Sequence, residues 1–562
     1  MAAFLDRFRL SSGDNAWPLG AVALWLLATV GFMLLRPMLP LDETRAVAVA
    51  WEMHTGSHWL VPHLNGQPYS EKPPLLAWIL NAAWAVFGVS ETVTRLVPAA
   101  LGTAAIGLTW SISRRLVPGA PGAAHRLAPV ILVSLPLWTW WGAQVEYDLP
   151  MATSVLAAHG AGLAFACGGP LAWMLAAGAA LGAGVLFKGP VVLVHVLPAW
   201  LAWAWWRPAS GPRPGRWWAG VGIALALALA ISLGWALSAA AAGGEAYGNK
   251  LLFGQTARRI GDHARHGRPW WWYGPVLLLV LMPWILRPGG WRRLIRARGR
   301  PDAPGGLRPW RYLAVWIGGG LLVLSAAGAK QPHYLIPLLP AFSIAMALSV
   351  APGKPAERAL DAWLPALFLA AVAGLLVAGP KLCDGRAPAD VCSAIRSGWG
   401  VVPLAAGAVV VLVHYIRHRS AAVLGGCLVV VLLAVAAWAR PVTDLERTGA
   451  MGKTIAAAHA RGHAVAQLGR YHGQYHFAGR LRQPIVWFET PGELAAWARA
   501  HPEDYVLVYS HRPPGPEAAG ATLVSPYRGH YAQLWPARAA LQTGAIRHPD
   551  DPESSPEHDA SS

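Results

Sequence analysis

The residues with most chemical promise in this chain sit against apolar runs. Asp42, Glu43 and Arg45 directly follow the first such run. Asp42 and Arg45 are three apart, so a helical segment would present both on one face. Further along the same polar stretch come His63, Asn65, Tyr69, Glu71 and Lys72, ending in EKPP. A second polar corner reads EYDLP and carries Glu146 and Asp148 at an expected helix start. Lys188 in FKGP and Lys330 in AKQPHYLIPLLP abut apolar segments, and His333 and Tyr334 follow Lys330. A charge within hydrocarbon costs about 2.5–3.5 kcal/mol on insertion scales. Charges kept beside apolar runs are therefore expected to have a task. Gathered carboxylates and cations suit two kinds of chemistry. A carboxylate can take a proton from an attacking group. Arg offers phosphate two parallel donors and Lys a point charge. Taken singly, each residue also reads as an ordinary polar loop end, and Lys188 and Lys330 as snorkelling side chains. The ensemble is what favours a site.

Glu71, His263 and His266 are of ligand types that zinc accepts. They are the candidates for a divalent metal, zinc or magnesium, although solvated loop histidines are the preferred reading of the two His. No CxxC metal pattern occurs, no GxGxxG follows a strand and no DxD lies in a soluble stretch, so no nucleotide-sugar site is evident.

The elements that must position these residues are set by composition. Of 562 residues, 55% are hydrophobic and 13% charged, where a soluble domain carries about 25% charged. The segment from Trp17 to Leu35 has no charge, and about 18 such residues suffice to cross a membrane as a helix. It is long, lacks a following small-residue cleavage site and is echoed by many later blocks, which argues against a cleavable signal peptide. About thirteen spans are expected, near 17–36, 93–112, 127–143, 149–166, 171–187, 189–206, 217–240, 271–288, 311–328, 334–350, 361–379, 398–416 and 420–439. The 31 Trp residues, as at Trp270, Trp271 and Trp272, fit interfacial belts.

The net charge of +18 comes largely from Arg in short loops, as in Arg292, Arg293, Arg296, Arg298 and Arg300. That is the pattern of cytoplasmic loops rather than of a nucleic-acid surface. The loops with Arg114, Arg115 and Arg126, then Arg207, Arg213 and Arg216, are assigned inside with the N-terminus. The opposite loops hold most loop carboxylates, among them Asp42, Glu43, Glu52, Glu71, Glu146, Asp148 and Asp262. The candidate residues thus share the outer face. The first outer loop, 37–92, contains two stretches that read as interfacial helices, AVAVAWEM and PPLLAWILNAAWAVFG. The transmembrane part is taken as 1–440. Beyond it, AVAQLG, PIVWFE and YVLVYS read as strands and TPGELAAWARAH as a Thr-capped helix. Residues 441–540 are read as a small outer α/β domain and 541–562 as a disordered tail. Cys383 and Cys392 share one polar loop, where a disulfide would be permitted if that loop is periplasmic.

The stretch LDETRAVAVAWEM, GSHWLVPHLNGQPYSEKPPLLAWI and FGVSETVTRLVPA resembles the first outer loop of the bacterial aminoarabinose lipid A transferases, within the wider GT-C family of protein O-mannosyltransferase-like enzymes. EYDLP, LFKGPVVL, PWILRP and AKQPHYLIPLLP are similar to later family motifs in the same order, over about residues 15–350. The resemblance implies a mainly α, polytopic GT-C fold with an outer α/β appendage, in a bacterial inner membrane. It implies an undecaprenyl-phosphate sugar donor and an inverting transfer on the periplasmic face, most closely of aminoarabinose to lipid A. Arg45 and Lys72 fall where the family contacts phosphate, and Lys188 and Lys330 would assist them or meet the acceptor. Asp42 matches the catalytic acid position, with Asp148 as second carboxylate for orientation or sugar binding. Glu43, Tyr69, Glu71, His333 and Tyr334 complete the expected cavity. With a hydroxyl acceptor Asp42 would act as general base. A lipid A phosphate is already ionised, since its second pKa is about 6, and Asp42 would then orient groups or bind an amino sugar. A protein or other envelope glycan acceptor stays open. A lipid-linked sugar flippase is the alternative of another class, and the chain lacks the paired inverted repeats it would need.

Overall fold

A segment in lipid must satisfy its own backbone hydrogen bonds, so the apolar blocks fold as helices. The structure, a computed structural model, describes residues 16–116, 124–254, 267–297, 307–349, 355–382, 421–444, 446–510, 515–528 and 530–546. The chain opens with α1 (Ala16–Leu35) and α2 (Asp42–Gly56). A hairpin of β1 (His63–Leu64) and β2 (Gln67–Pro68) follows. Then come α3 (Leu75–Phe87) and α4 (Glu91–Leu116). The hairpin turns through Asn65 and Gly66, with φ of 57° and 73°. Two consecutive positive φ values match the right-handed twist of a two-residue hairpin, and Asn-Gly is the pair that tolerates them.

Next are α5 (Ala124–Ser134), α6 (Pro136–Gly142), α7 (Asp148–Ala166), α8 (Ala172–Lys188), α9 (Val192–Leu201) and α10 (Trp203–Trp206). The long α11 (Pro214–Gly243) leads to a short α12 (Glu245–Asn249). After α13 (Tyr273–Val280), α14 (Pro288–Ala297) and α15 (Pro309–Ala326), a 3₁₀ turn over Pro332–Leu338 continues into α16 (Leu339–Ser349). The last helices of this part are α17 (Pro355–Leu382) and α18 (Ala421–Asp444).

Among the described residues, five helices are individually long and apolar enough to cross a membrane: Pro18–Leu35, Glu91–Leu116, Asp148–Ala166, Pro214–Gly243 and Pro332–Ser349. Several expected spans are broken instead. The 127–143 segment divides at Leu135, because Pro136 starts a new helix and donates no backbone N–H. The 189–206 segment divides at Ala202, and 271–288 is helical only over α13 before α14 begins. The 398–416 span, Cys383, Cys392 and residues 547–562 lie outside the described residues, whereas helix Ala537–Gln542 enters the stretch read as tail. The Trp residues divide. Trp270 and Trp271 are exposed as an interfacial belt requires, but Trp25, Trp138, Trp200, Trp203, Trp206, Trp217 and Trp316 are buried in the helical core.

After α18 comes α19 (Gly449–Ala460), then β3 (Val465–Leu468), α20 (His476–Gly479), β4 (Val486–Phe488), α21 (Pro491–Ala500) and β5 (Tyr505–Ser510). The chain ends in β6 (Leu523–Tyr527), β7 (His530–Pro536) and α22 (Ala537–Gln542). Sheet order is β4-β3-β5-β7-β6, parallel from β4 to β5 and antiparallel beyond. Alternate residues of β5 face opposite layers: Leu507 packs with Met451 and Ile455 of α19, and Val506 with Leu494 and Ala498 of α21. Thr490 caps α21 through a reciprocal capping box with Glu493.

Candidate active site

Stretches distant in sequence converge at one end of the helical part. They are the start of α2, the loop that carries Lys72, the end of α6 with the EYDLP corner before α7, the C-terminus of α8 and the turn before α16. They enclose a cavity of about 250 Å³ lined by Asp42, Arg45, Lys72, Trp141, Glu146, Tyr147, Asp148, Lys188, Gln331, His333 and Tyr334. Asp42, Arg45, Lys72, Asp148, Lys188, His333 and Tyr334, all expected site residues, therefore share one space. Glu146, Tyr147, Trp141 and Gln331 are its additional members.

Arg45 Nη2 donates to Asp42 Oδ1 at 2.6 Å, one helical turn away as their spacing requires. The Asp42 side chain is 63% exposed. Asp148 is its opposite: almost wholly buried, with Lys188 Nζ at 2.5 Å from Oδ1 and His333 Nε2 at 3.9 Å from Oδ2. His333 stacks on Trp141, with ring centroids 4.7 Å apart. The Lys188 ammonium also lies over the Tyr334 ring at 5.0 Å, and that of Lys72 over the Tyr147 ring at 5.7 Å. Among the described residues, Lys72 has no carboxylate within ion-pair distance. Burial and the neighbouring Lys188 charge hold its pKa below the usual lysine value, partly offset by Glu146.

Glu146 is 9% exposed, and its Oε1 has no hydrogen-bond donor among the described residues. Burial, then the nearby Asp42 and Asp148 charges, push its pKa up to about 8, against the pull of Lys188 and Lys72. At neutral pH Glu146 is therefore mostly protonated. The cavity then sets two carboxylates against Arg45, Lys72 and Lys188, an excess of one positive charge. A phosphate group suits such a balance.

Glu43, expected in the cavity, lies behind it. Adjacent helix positions point about 100° apart, so when Asp42 faces the cavity Glu43 faces the core. Its Oε2 accepts from Arg36 Nη1 at 2.7 Å and from the Leu39 N–H at 3.0 Å, and its Oε1 accepts from the Val145 N–H at 3.1 Å. Arg95 Nε lies 4.0 Å away. Burial alone would raise the Glu43 pKa, but the two guanidinium groups outweigh it and hold the carboxylate ionised. Arg36 also donates to the Ala143 carbonyl, and Arg95 to the carbonyls of Met33, Arg36 and Pro37. This buried clamp ties the end of α1, the start of α2 and the 143–145 turn together, and so sets Asp42 relative to Asp148. Leu41, just before Asp42, adopts φ of 75°, a costly region for a residue with a Cβ. Its N–H donates to Thr44 Oγ1 at 3.1 Å, which helps hold it there. Arg36 and Arg95 escaped the sequence reading, although each is a charge at the end of an apolar run.

Tyr69 is buried beside the cavity and donates to Glu71 Oε2 at 3.4 Å. Glu71 turns toward Arg470 of the C-terminal domain, with Nη1 at 3.7 Å. Lys330 is buried, but its ammonium donates to the carbonyls of Arg268 and Ala327, and its neighbour Gln331 lines the cavity instead. His263 and His266 lie outside the described residues. Among the described residues no three His, Cys, Asp or Glu side chains gather as metal ligands. The C-terminal domain is docked by specific contacts. Asn65 exchanges two hydrogen bonds with the Ile485 backbone, both 2.8 Å, and Trp51 Nε1 donates to the Leu481 carbonyl at 2.7 Å.

The fold and site together define a multi-pass membrane protein with an ionic cavity at the helix ends. Comparison with known proteins agrees. Residues 71–235 match the family profile described as dolichyl-phosphate-mannose-protein mannosyltransferase. An undecaprenyl phosphate-alpha-4-amino-4-deoxy-L-arabinose arabinosyl transferase of Sodalis glossinidius is 29% identical over 388 residues, 64% of this chain and 65% of that protein. One from Edwardsiella ictaluri is 28% identical over 329 residues, 54% of each. These matches span less than two thirds of the relatives' length. In fold, the chain superposes on crystal structures of ArnT from Cupriavidus metallidurans. The TM-score is 0.70 with the form bound to undecaprenyl phosphate, at 18% identity over 92% of this chain and 98% of that one. It is 0.72 with the apo form, at 17% identity over 94% and 99%. The chain is thus similar in sequence to undecaprenyl phosphate-aminoarabinose arabinosyl transferases and shares the fold of ArnT.

Proposed function

We propose that this protein is a glycosyltransferase that takes a sugar from an undecaprenyl-phosphate donor and delivers it, with inversion, to an acceptor at the periplasmic face of the inner membrane. Aminoarabinose transfer to lipid A is the form we favour. The carrying observation is the cavity itself, where Lys72, without a carboxylate at ion-pair distance among the described residues, stands beside Arg45 and Lys188. As the glycosidic bond breaks, negative charge grows on the departing phosphate. Lys72 and Arg45 supply the charge that stabilises it. Arg45 is held by Asp42 at 2.6 Å, so the same contact that orients the guanidinium leaves the second Asp42 oxygen for the acceptor. Asp148 is paired with Lys188 and serves to fix that cation at the cavity wall.

With lipid A phosphate as acceptor the nucleophile is already ionised, and Asp42 positions it or binds the amino group of the sugar. With a hydroxyl acceptor, as the description of the matched family profile would favour, Asp42 removes its proton. The test uses purified protein, radiolabelled undecaprenyl-phosphate aminoarabinose and lipid A. Lys72→Ala removes a charge-assisted contact worth about 1.5–3 kcal/mol, so transfer should fall about 10- to 150-fold. Asp42→Ala should abolish it while insertion and folding persist. Full activity in both variants would end this assignment, and transfer to protein but never to lipid A would end the lipid A reading.

A further inference from the structure

Helices α4, α7 and α8 run from the candidate active site to a second cavity at their other ends. Asp148 opens α7 in the first cavity and Ala164, in its last turn, lines the second. At a rise of 1.5 Å per residue those positions lie about 24 Å apart. Lys188 ends α8 in the first cavity, and Ala172 and Trp173 begin it in the second. Arg95 of α4 belongs to the clamp behind the first, and Arg114 and Arg115 line the second. The second cavity encloses about 750 Å³. No carboxylate lines it, and neither arginine pairs with one among the described residues.

We propose that this cavity binds an anionic bilayer phospholipid by its headgroup phosphate. The Arg114 guanidinium lies over the Trp110 ring at 4.9 Å, and that of Arg115 over the Trp173 ring at 5.5 Å. Stacking fixes each planar group while leaving N–H donors free, and Arg115 spends one on the Gly160 carbonyl at 3.1 Å. The Trp110 indole N–H is buried without an acceptor among the described residues, a further donor awaiting a partner. A third cation stands at the rim, since Arg216 donates to the carbonyl of Gly169, a lining residue. The rest of the lining is chiefly Trp, Ala and Gly, which suits the glycerol and first acyl carbons. Leu171 and Leu175 of the same hairpin are exposed beside it, as on a lipid-facing surface. Two positive groups and an apolar wall at the end of spanning helices match a lipid phosphate better than a free one, whose remaining oxygens would need water or more donors.

Cys167 lines the cavity, is accessible, and reports its occupancy. A variant with Cys167 as sole cysteine (Cys383→Ser, Cys392→Ser, Cys427→Ser) is placed in nanodiscs of phosphatidylcholine, with or without phosphatidylglycerol, and its maleimide labelling rate followed. Phosphatidylglycerol should slow labelling about fivefold or more. Arg114→Gln with Arg115→Gln should erase that difference, and the paired Lys substitutions should retain part of it. Arg114→Gln alone, whose guanidinium stacks only on Trp110, serves if the double variant loses its unfolding midpoint. Equal rates in both lipids would overturn the proposal. So would equal protection by inorganic phosphate in detergent, or full protection persisting in a folded Gln variant.

Discussion

Glu146 offers the sharpest test of the cavity's electrostatics. Its carboxyl faces Asp42, Asp148, Lys72, Lys188 and Tyr147, and its pKa is pushed up to about 8. Below that value the group is neutral and does not oppose a phosphate. Above it, a second unit charge appears close by. Two charges about 6 Å apart at an effective dielectric constant of about 20 repel by about 3 kcal/mol, an upper bound near 100-fold in affinity. Lys72 and Lys188 screen part of this, so about tenfold is the expected loss of undecaprenyl phosphate binding between pH 7.5 and 9.5. The ligand's own second ionisation is complete by then, since that pKa is about 6. Glu146→Gln keeps shape and neutrality and should show a clearly smaller loss over the same range. The sign for stability is the same. The folded pKa lies above the ordinary value of 4.5, so the neutral carboxyl's contribution is complete below about 4.5 and is lost as pH rises through about 8. Binding by fluorescence anisotropy or calorimetry across this range decides the matter. Parallel pH profiles for wild type and Glu146→Gln would refute the reasoning.

Three further outcomes are expected. Glu43→Ala leaves Arg36 and Arg95 buried without their carboxylate and should cost about 3–5 kcal/mol, read as a lower unfolding midpoint in detergent together with lost transfer; an unchanged midpoint would show that the clamp is not structural. Asn65→Ala removes both bonds to Ile485 and should make limited proteolysis between the membrane part and the C-terminal domain several-fold faster, with little effect on helix content by circular dichroism. Extensive dialysis against EDTA should leave transfer within about twofold, consistent with solvated loop histidines as the preferred reading; loss of activity restored by zinc would instead assign Glu71, His263 and His266 as ligands.

The sequence made most of the site legible because ionisable groups beside apolar runs are costly and therefore few. Asp42, Arg45, Lys72, Asp148 and Lys188 stood out for that reason and meet in one cavity. Their depth did not stand out. Asp42 and Glu43 are adjacent and chemically alike, yet one is largely exposed and the other sealed between two arginines, a difference set by α2's rotation about its axis. Lys330 shows the same limit, since its ammonium finds main-chain carbonyls that no sequence pattern announces. Broken helices at Leu135 and Ala202 read as continuous spans because hydropathy counts residues and is blind to a turn inside an apolar run. Buried Trp residues read as belt residues for the same reason. Strands β3, β4 and β5 were visible as apolar runs, whereas β6 contains Pro526 and two half-polar faces that mask its pattern.

The site's dispersal over element ends has a mechanical consequence. No single helix carries more than two of the ionisable lining residues, so cavity shape depends on how α2, the EYDLP corner and the turn before α16 are held together. The Arg36–Glu43–Arg95 clamp performs this on the core side. On the other side the task falls to the first loop, which is itself pinned through Glu52, Asn65 and Trp51. Glu52 accepts the N–H groups of Asn65 and Gly66, and Asn65 and Trp51 bond the C-terminal domain. Lys72 lies on the same loop only a few residues beyond, between Glu71, which meets Arg470, and α3. The loop that carries the cation we assign to the donor phosphate is thus tied to the C-terminal domain as well as to the membrane helices, and a loosened domain should weaken phosphate capture before it disturbs the buried Asp148–Lys188 pair.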